Sequence, residues 1–127
     1  MPTIARSFWT ALLAVLALVI GVLALTPHPP PTLDTGWDKL NHVLAFAALA
    51  FCAQHAAQGS RWPAPAWQGG LLAYGVLIEI AQTLVPGRHG EWPDLLADAV
   101  GMALGMVAAW LTLRKARRAG LTVTARS

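Results

Sequence analysis

Charge is the scarcest commodity in this chain: only 12% of its 127 residues are Asp, Glu, Lys or Arg, and only six of those are acidic. That shortage excludes a soluble bundle, whose helices each need a polar face. Cysteine occurs once, as Cys52, so no intramolecular disulfide is available and the residue reads as a small packing group. No HExxH-type pairing of histidines occurs, and neither serine nor thiol accompanies the polar residues singled out below. Nucleic-acid binding is not expected despite the net charge of +3. Five of the nine basic residues, Arg114, Lys115, Arg117, Arg118 and Arg126, lie beyond the last apolar run, where they read as a membrane topology signal.

What the chain has instead is apolar length. It is 56% hydrophobic, and its apolar residues fall in four blocks. Phe8 to Leu25 carries Thr10 as its only polar side chain. At ~1.5 Å per residue this run reaches about 27 Å, close to the thickness of a bilayer's hydrocarbon core. The composition therefore predicts an all-α, four-transmembrane-helix bundle in a single domain over residues 1–127. The helices are expected at about 8–25, 38–57, 67–85 and 94–113, with 114–127 as a basic cytoplasmic tail. A cleaved signal peptide is the lesser reading of the first block, which is longer than a usual signal core.

Breakers divide the blocks. Pro27, Pro29, Pro30 and Pro31 stop the first helix and begin an extended connector. Gly59, Pro63 and Pro65 mark the second loop, and Pro86-Gly87 ends the third helix. Asp38 and Asp94 each open a helix where the dipole favours negative charge. The basic tail places both termini and the loop at 58–66 in the cytoplasm, so the loops at 26–39 and 86–93 face outward. The tryptophans agree: Trp9, Trp62, Trp67 and Trp110 fall at the inner boundary, and Trp37 and Trp92 at the outer one.

That topology gathers the polar residues in the outer third of the bundle. Asp38, Lys39 and His42 open the second helix, and Asp94 and Asp98 the fourth. Glu79 and Gln82 lie near the end of the third, with Arg88 in the loop that follows. Glu79 is the sharpest signal. An ionised carboxylate inside a membrane helix costs about 2.5–3.5 kcal/mol on insertion scales, so it must be paired, protonated or in a wet cavity. Arg88 is the nearest candidate partner. The plain alternatives are a buried ion pair for Glu79 and dipole compensation for Asp94. Asn41 and Gln54 read as interhelical hydrogen bonders, and Gly101 and Gly105 as a small-residue seam that turns the Asp94–Asp98 face inward. Trp37-Asp38 with His42, set against Trp92-Pro93-Asp94 with Asp98, makes a faint internal echo best put down to chance.

The ensemble Asp38-Lys39-x-x-His42-x-x-x-Phe46, Glu79-x-x-Gln82, Pro86-Gly87-Arg88, Asp94 and Gly101-x-x-x-Gly105 resembles the VanZ-like membrane proteins over about residues 26–106. The family often has asparagine where this chain has Asp98, which weakens any shared role for that residue. The resemblance implies a multi-pass protein of the bacterial cytoplasmic membrane, and its namesake is an accessory in glycopeptide antibiotic resistance. The functional expectation is an outward-facing mixed-charge pocket that binds the polar head of a lipid or cell-envelope precursor. Its binding residues would be Asp38, Lys39, His42, Glu79, Gln82, Arg88, Asp94 and Asp98. The alternative is an integral-membrane hydrolase or transferase acting on an envelope lipid, with His42 or Glu79 as general base. Enzymatic activity is left open between these. A metal variant would use Asp38, His42, Glu79 and Asp94, but one histidine among carboxylates is a weak signature, so neither a metal nor another cofactor is expected. Membrane lipids are the expected partners.

Overall fold

The computed structural model describes residues 2–27, 38–87 and 90–120. The connector with Trp37, and the loop residues Arg88 and His89, lie outside the described residues. Four helices make up the fold: α1 (Pro2–Leu25), α2 (Asp38–Ala56), α3 (Ala64–Gln82) and α4 (Trp92–Arg118). No strand occurs among the described residues.

The boundaries differ from the sequence expectation most at the start of α1, which begins at Pro2 and not near Phe8, at both ends of α3 and at the end of α4. Helix α3 starts at Ala64, ahead of the expected position, because Pro63 takes the N-cap and Pro65 fits the first turn, where no amide hydrogen is needed. It closes at Gln82, and Leu84 and Val85 form the turn that leads to Pro86. Helix α4 runs on to Arg118, beyond the expected Leu113. Its final turns hold Lys115, Arg117 and Arg118, good helix formers whose charges complement the negative end of the dipole.

Two helical segments, Arg6–Leu25 and Trp92–Arg118, are long and apolar enough to cross a membrane. Helices α2 and α3 are diluted by polar residues, and many of those turn inward. Gln68, Glu79, Gln82, Asp94 and Asp98 are all buried, while Leu72, Val76, Leu77 and Ile80 of α3 are exposed. Phe8, Val15, Leu18 and Val22 of α1 are exposed as well. The inside of this bundle is therefore more polar than much of its outer face. The apolar centre is small, comprising Phe46, Leu49, Ala50, Ala53, Leu71 and Met102.

Helix α2 sits in the middle and packs most extensively on α4. The two run parallel in constant register. His42 meets Asp98 and His55 meets Thr112, at sequence separations of 56 and 57. A glycine seam allows the close approach. A Cβ on Gly101 would run into the Val43 carbonyl, and one on Gly105 into the Ala47 carbonyl. Such van der Waals seams and polar bonds join helices at close range. Helices α1 and α3 are also parallel: Tyr74 donates to the Ala17 carbonyl and Gln82 to the Ala24 carbonyl, at separations of 57 and 58. Gln68 joins α3 to α2 by donating to Gln54 Oε1 at 2.9 Å and to the Ala50 carbonyl at 3.1 Å. As a result the C-terminal ends of α1 and α3 and the N-terminal ends of α2 and α4 share one end of the bundle.

Candidate functional site

Five of the chain's six acidic residues meet at that end. At the centre is His42, one turn into α2 and only 10% exposed. Its Nδ1 lies 2.7 Å from Asp98 Oδ1, an Nδ1–H donating to a carboxylate that is 1% exposed. Its other ring nitrogen, Nε2, faces three more carboxylates. Asp94 Oδ2 lies 3.7 Å away, Asp38 Oδ2 3.8 Å and Glu79 Oε1 3.9 Å. Three different helices supply these oxygens, and α2 and α4 do so from equivalent first-turn positions. Both helix N-termini carry a partial positive charge that favours the acids gathered there.

Lys39 is the cation of the cluster among the described residues. Its Nζ lies 2.9 Å from Asp94 Oδ1 and 3.4 Å from Glu91 Oε2. Glu79 is held by a backbone group: the Glu91 N–H donates to its Oε2 at 2.8 Å. Gly90 makes this possible, because a Cβ there would overlap the Glu79 carbonyl and crowd Thr83 Cγ2 at 2.9 Å. Two carboxylate oxygens in the cluster, Glu79 Oε1 and Asp98 Oδ2, are buried without a hydrogen-bond partner. Buried polar atoms in proteins are nearly always paired, so these two call for an explanation.

Of the residues singled out from sequence, Asp38, Lys39, His42, Glu79, Asp94 and Asp98 come together. Gln82 does not join them. Its side-chain nitrogen donates to the Ala24 carbonyl at 3.0 Å and ties α3 to α1. Arg88 lies outside the described residues, so its pairing with Glu79 rests on the sequence alone. Glu91 was missed, although it stands in the same polar loop and provides both a backbone donor and a charge. Its signal was the fold-back that Gly90 permits, which spacing does not reveal.

Residues 6–113 match the VanZ/LLP1 protein family. The chain belongs to the VanZ/LLP1 family. Together with two helices apolar enough to span, this marks it as a membrane protein. Comparison with curated proteins and with solved structures found no match. The matched stretch includes every member of the cluster, so the convergence of acids on His42 lies within the VanZ domain of this chain.

Proposed function

We propose that this VanZ-like protein is a four-span protein of the bacterial cytoplasmic membrane with both termini in the cytoplasm. Its outward-facing end binds the polar head of a lipid or cell-envelope precursor, and in that capacity it contributes to glycopeptide tolerance. One observation carries the reading: buried acids from α3 and α4 converge on His42 of α2, and Glu79 Oε1 is left without a partner. A structural staple needs one ion pair. Here five carboxylates surround one lysine and one histidine, more polar groups than joining helices requires. Burying such charge costs several kcal/mol per ion unless it is matched, on the order given by desolvation.

The cluster is also reachable. Asp38 is 55% exposed and Lys39 37%, both on the rim, while Glu79 and Asp94 lie inside. A head group entering from the rim would meet Lys39 with its phosphate or carboxylate and the inner acids with positive charge or hydroxyls.

The test is lipid enrichment. Wild-type protein extracted with its native lipids should carry a phospholipid or envelope precursor enriched well above its share of the bulk membrane. Glu79→Gln should abolish that enrichment with the protein still folded. Identical, bulk-like lipid compositions around both proteins would refute the head-group reading.

A further inference from the structure

The inner carboxylates share a habit that a plain ion-pair network does not explain. Asp94 and Glu79 each give one oxygen to the protein and turn the other toward the His42 ring. Asp94 Oδ1 takes Lys39, and Oδ2 faces Nε2. Glu79 Oε2 takes the Glu91 N–H, and Oε1 faces the same nitrogen, buried and unpartnered on a side chain 8% exposed. Asp38 Oδ2 approaches from the rim. The separations of 3.7, 3.8 and 3.9 Å from Nε2 are too long for hydrogen bonds. A bonded N–H···O spans about 2.7–3.2 Å. Two ligand atoms bound tetrahedrally to one ion at ~2.1 Å stand roughly 3.4 Å apart, close to the distances of these oxygens from Nε2. Potential ligand atoms of Asp38, His42 and Asp94 all lie within 4.8 Å of one another, as do those of His42, Glu79 and Asp98.

The far side of the ring supplies the second half of the pattern. Asp98 accepts from Nδ1–H, which fixes the imidazole's orientation and presents the Nε2 lone pair to the acids. This is the arrangement by which carboxylates orient metal-binding histidines. The electrostatics agree: among the described residues five carboxylates face one lysine, and a divalent ion would add positive charge where they converge.

We propose that Asp38, His42, Glu79 and Asp94 bind a single divalent transition-metal cation, Mn²⁺ or Zn²⁺, at the mouth of the bundle. Asp98 positions His42, and Lys39 balances the outer oxygen of Asp94. One imidazole with several carboxylates suits these borderline cations, whereas an all-oxygen set would suit magnesium or calcium. The sequence alone gives the set Asp38, His42, Glu79 and Asp94 little weight, since one histidine among carboxylates is a weak signature; the packing of α2, α3 and α4 gathers it around Nε2. The site stands on this geometry and does not depend on the head-group reading.

Full-length protein in lipid nanodiscs, stripped with EDTA, is titrated with Mn²⁺ and with Zn²⁺. The expected result is one ion per chain, with spin-echo modulation on bound Mn²⁺ from a single imidazole nitrogen. His42→Ala removes that modulation, and Glu79→Gln weakens binding about tenfold or more. Asp98→Asn weakens it by about 10- to 100-fold, as loss of an orienting carboxylate does. Arg6→Gln, at the opposite end, leaves it unchanged. Wild-type protein that binds neither ion stoichiometrically, or binds Mn²⁺ with no nitrogen coupling, overturns the site, and that reading requires no variant to fold. Lipid enrichment in wild-type protein that binds neither ion overturns the site while sparing the head-group reading. A bound ion amid bulk-like lipid does the reverse.

Discussion

Glu79 shows how a single side chain in this protein trades stability against use. Its Oε2 is satisfied by the Glu91 N–H and its Oε1 is not. Glutamine keeps an oxygen for the Glu91 N–H and removes the buried charge. In metal-free protein, Glu79→Gln is therefore expected to be neutral or stabilising by up to about 1 kcal/mol, since exchanging buried charge for neutral groups often is. Thermal unfolding in detergent checks this, and a clear loss of stability would return Glu79 to the role of a simple staple. The same carboxylate was legible in the sequence because a charge in an apolar helix has no cheap explanation. Gln82, three residues on, was expected beside it, and its side-chain nitrogen bonds to α1. The end of α3 touches two neighbours, α4 on one side and α1 on the other, and the short turn between the residues sends Gln82 to Ala24. Glu91 escaped notice because acids in polar loops are ordinary until a backbone donor is seen to point inward.

At the scale of the element, the α2–α4 pair decides whether the cluster exists. The seam at Gly101 and Gly105 brings backbone against backbone, and nothing larger than hydrogen fits at either position. Gly101→Leu is expected to destabilise the bundle by at least about 1–3 kcal/mol, the usual cost of overpacking. The same substitution should abolish metal and lipid binding, although Gly101 contributes no polar atom. Leu104→Ala, on the exposed face of the same helix, should leave binding unchanged and provides the control. Binding that survived Gly101→Leu would show that α2 and α4 need not be in contact to form the site. The seam was readable from its spacing of four. Its partner was not, because small-residue spacing states how near two helices come and not which helix fills the seam; the parallel run of α2 and α4 already followed from the expected topology.

For the whole molecule, the outer surface departs from that of a water-soluble bundle: leucine, valine and isoleucine are exposed along it, while acids and amides are buried beside a small apolar core. That arrangement is what a bilayer demands, and it explains why four helices could be counted from apolar runs while α2 and α3 fall short in hydropathy. The orientation remains a matter for measurement. A fluorescent protein fused after Ser127 should fold and fluoresce on the cytoplasmic side, and a cysteine at Leu84 should react with a membrane-impermeant reagent from outside. The opposite pattern would put the cluster in the cytoplasm and exclude an extracellular head group. The faint echo between the two halves also gains substance at this scale. Asp38 and Asp94, and likewise His42 and Asp98, stand at equivalent positions on parallel helices, 56 residues apart.

The glycine contacts at Val43 and Ala47 work as a vernier. If α4 slid by one turn, about 5.4 Å, Met102 would take the place of Asp98 beside His42. Asp98 would rise to the level of Asp38, and His42 would lose the carboxylate that fixes its ring. Two glycines with no polar atom in the cluster thus set which charges can meet.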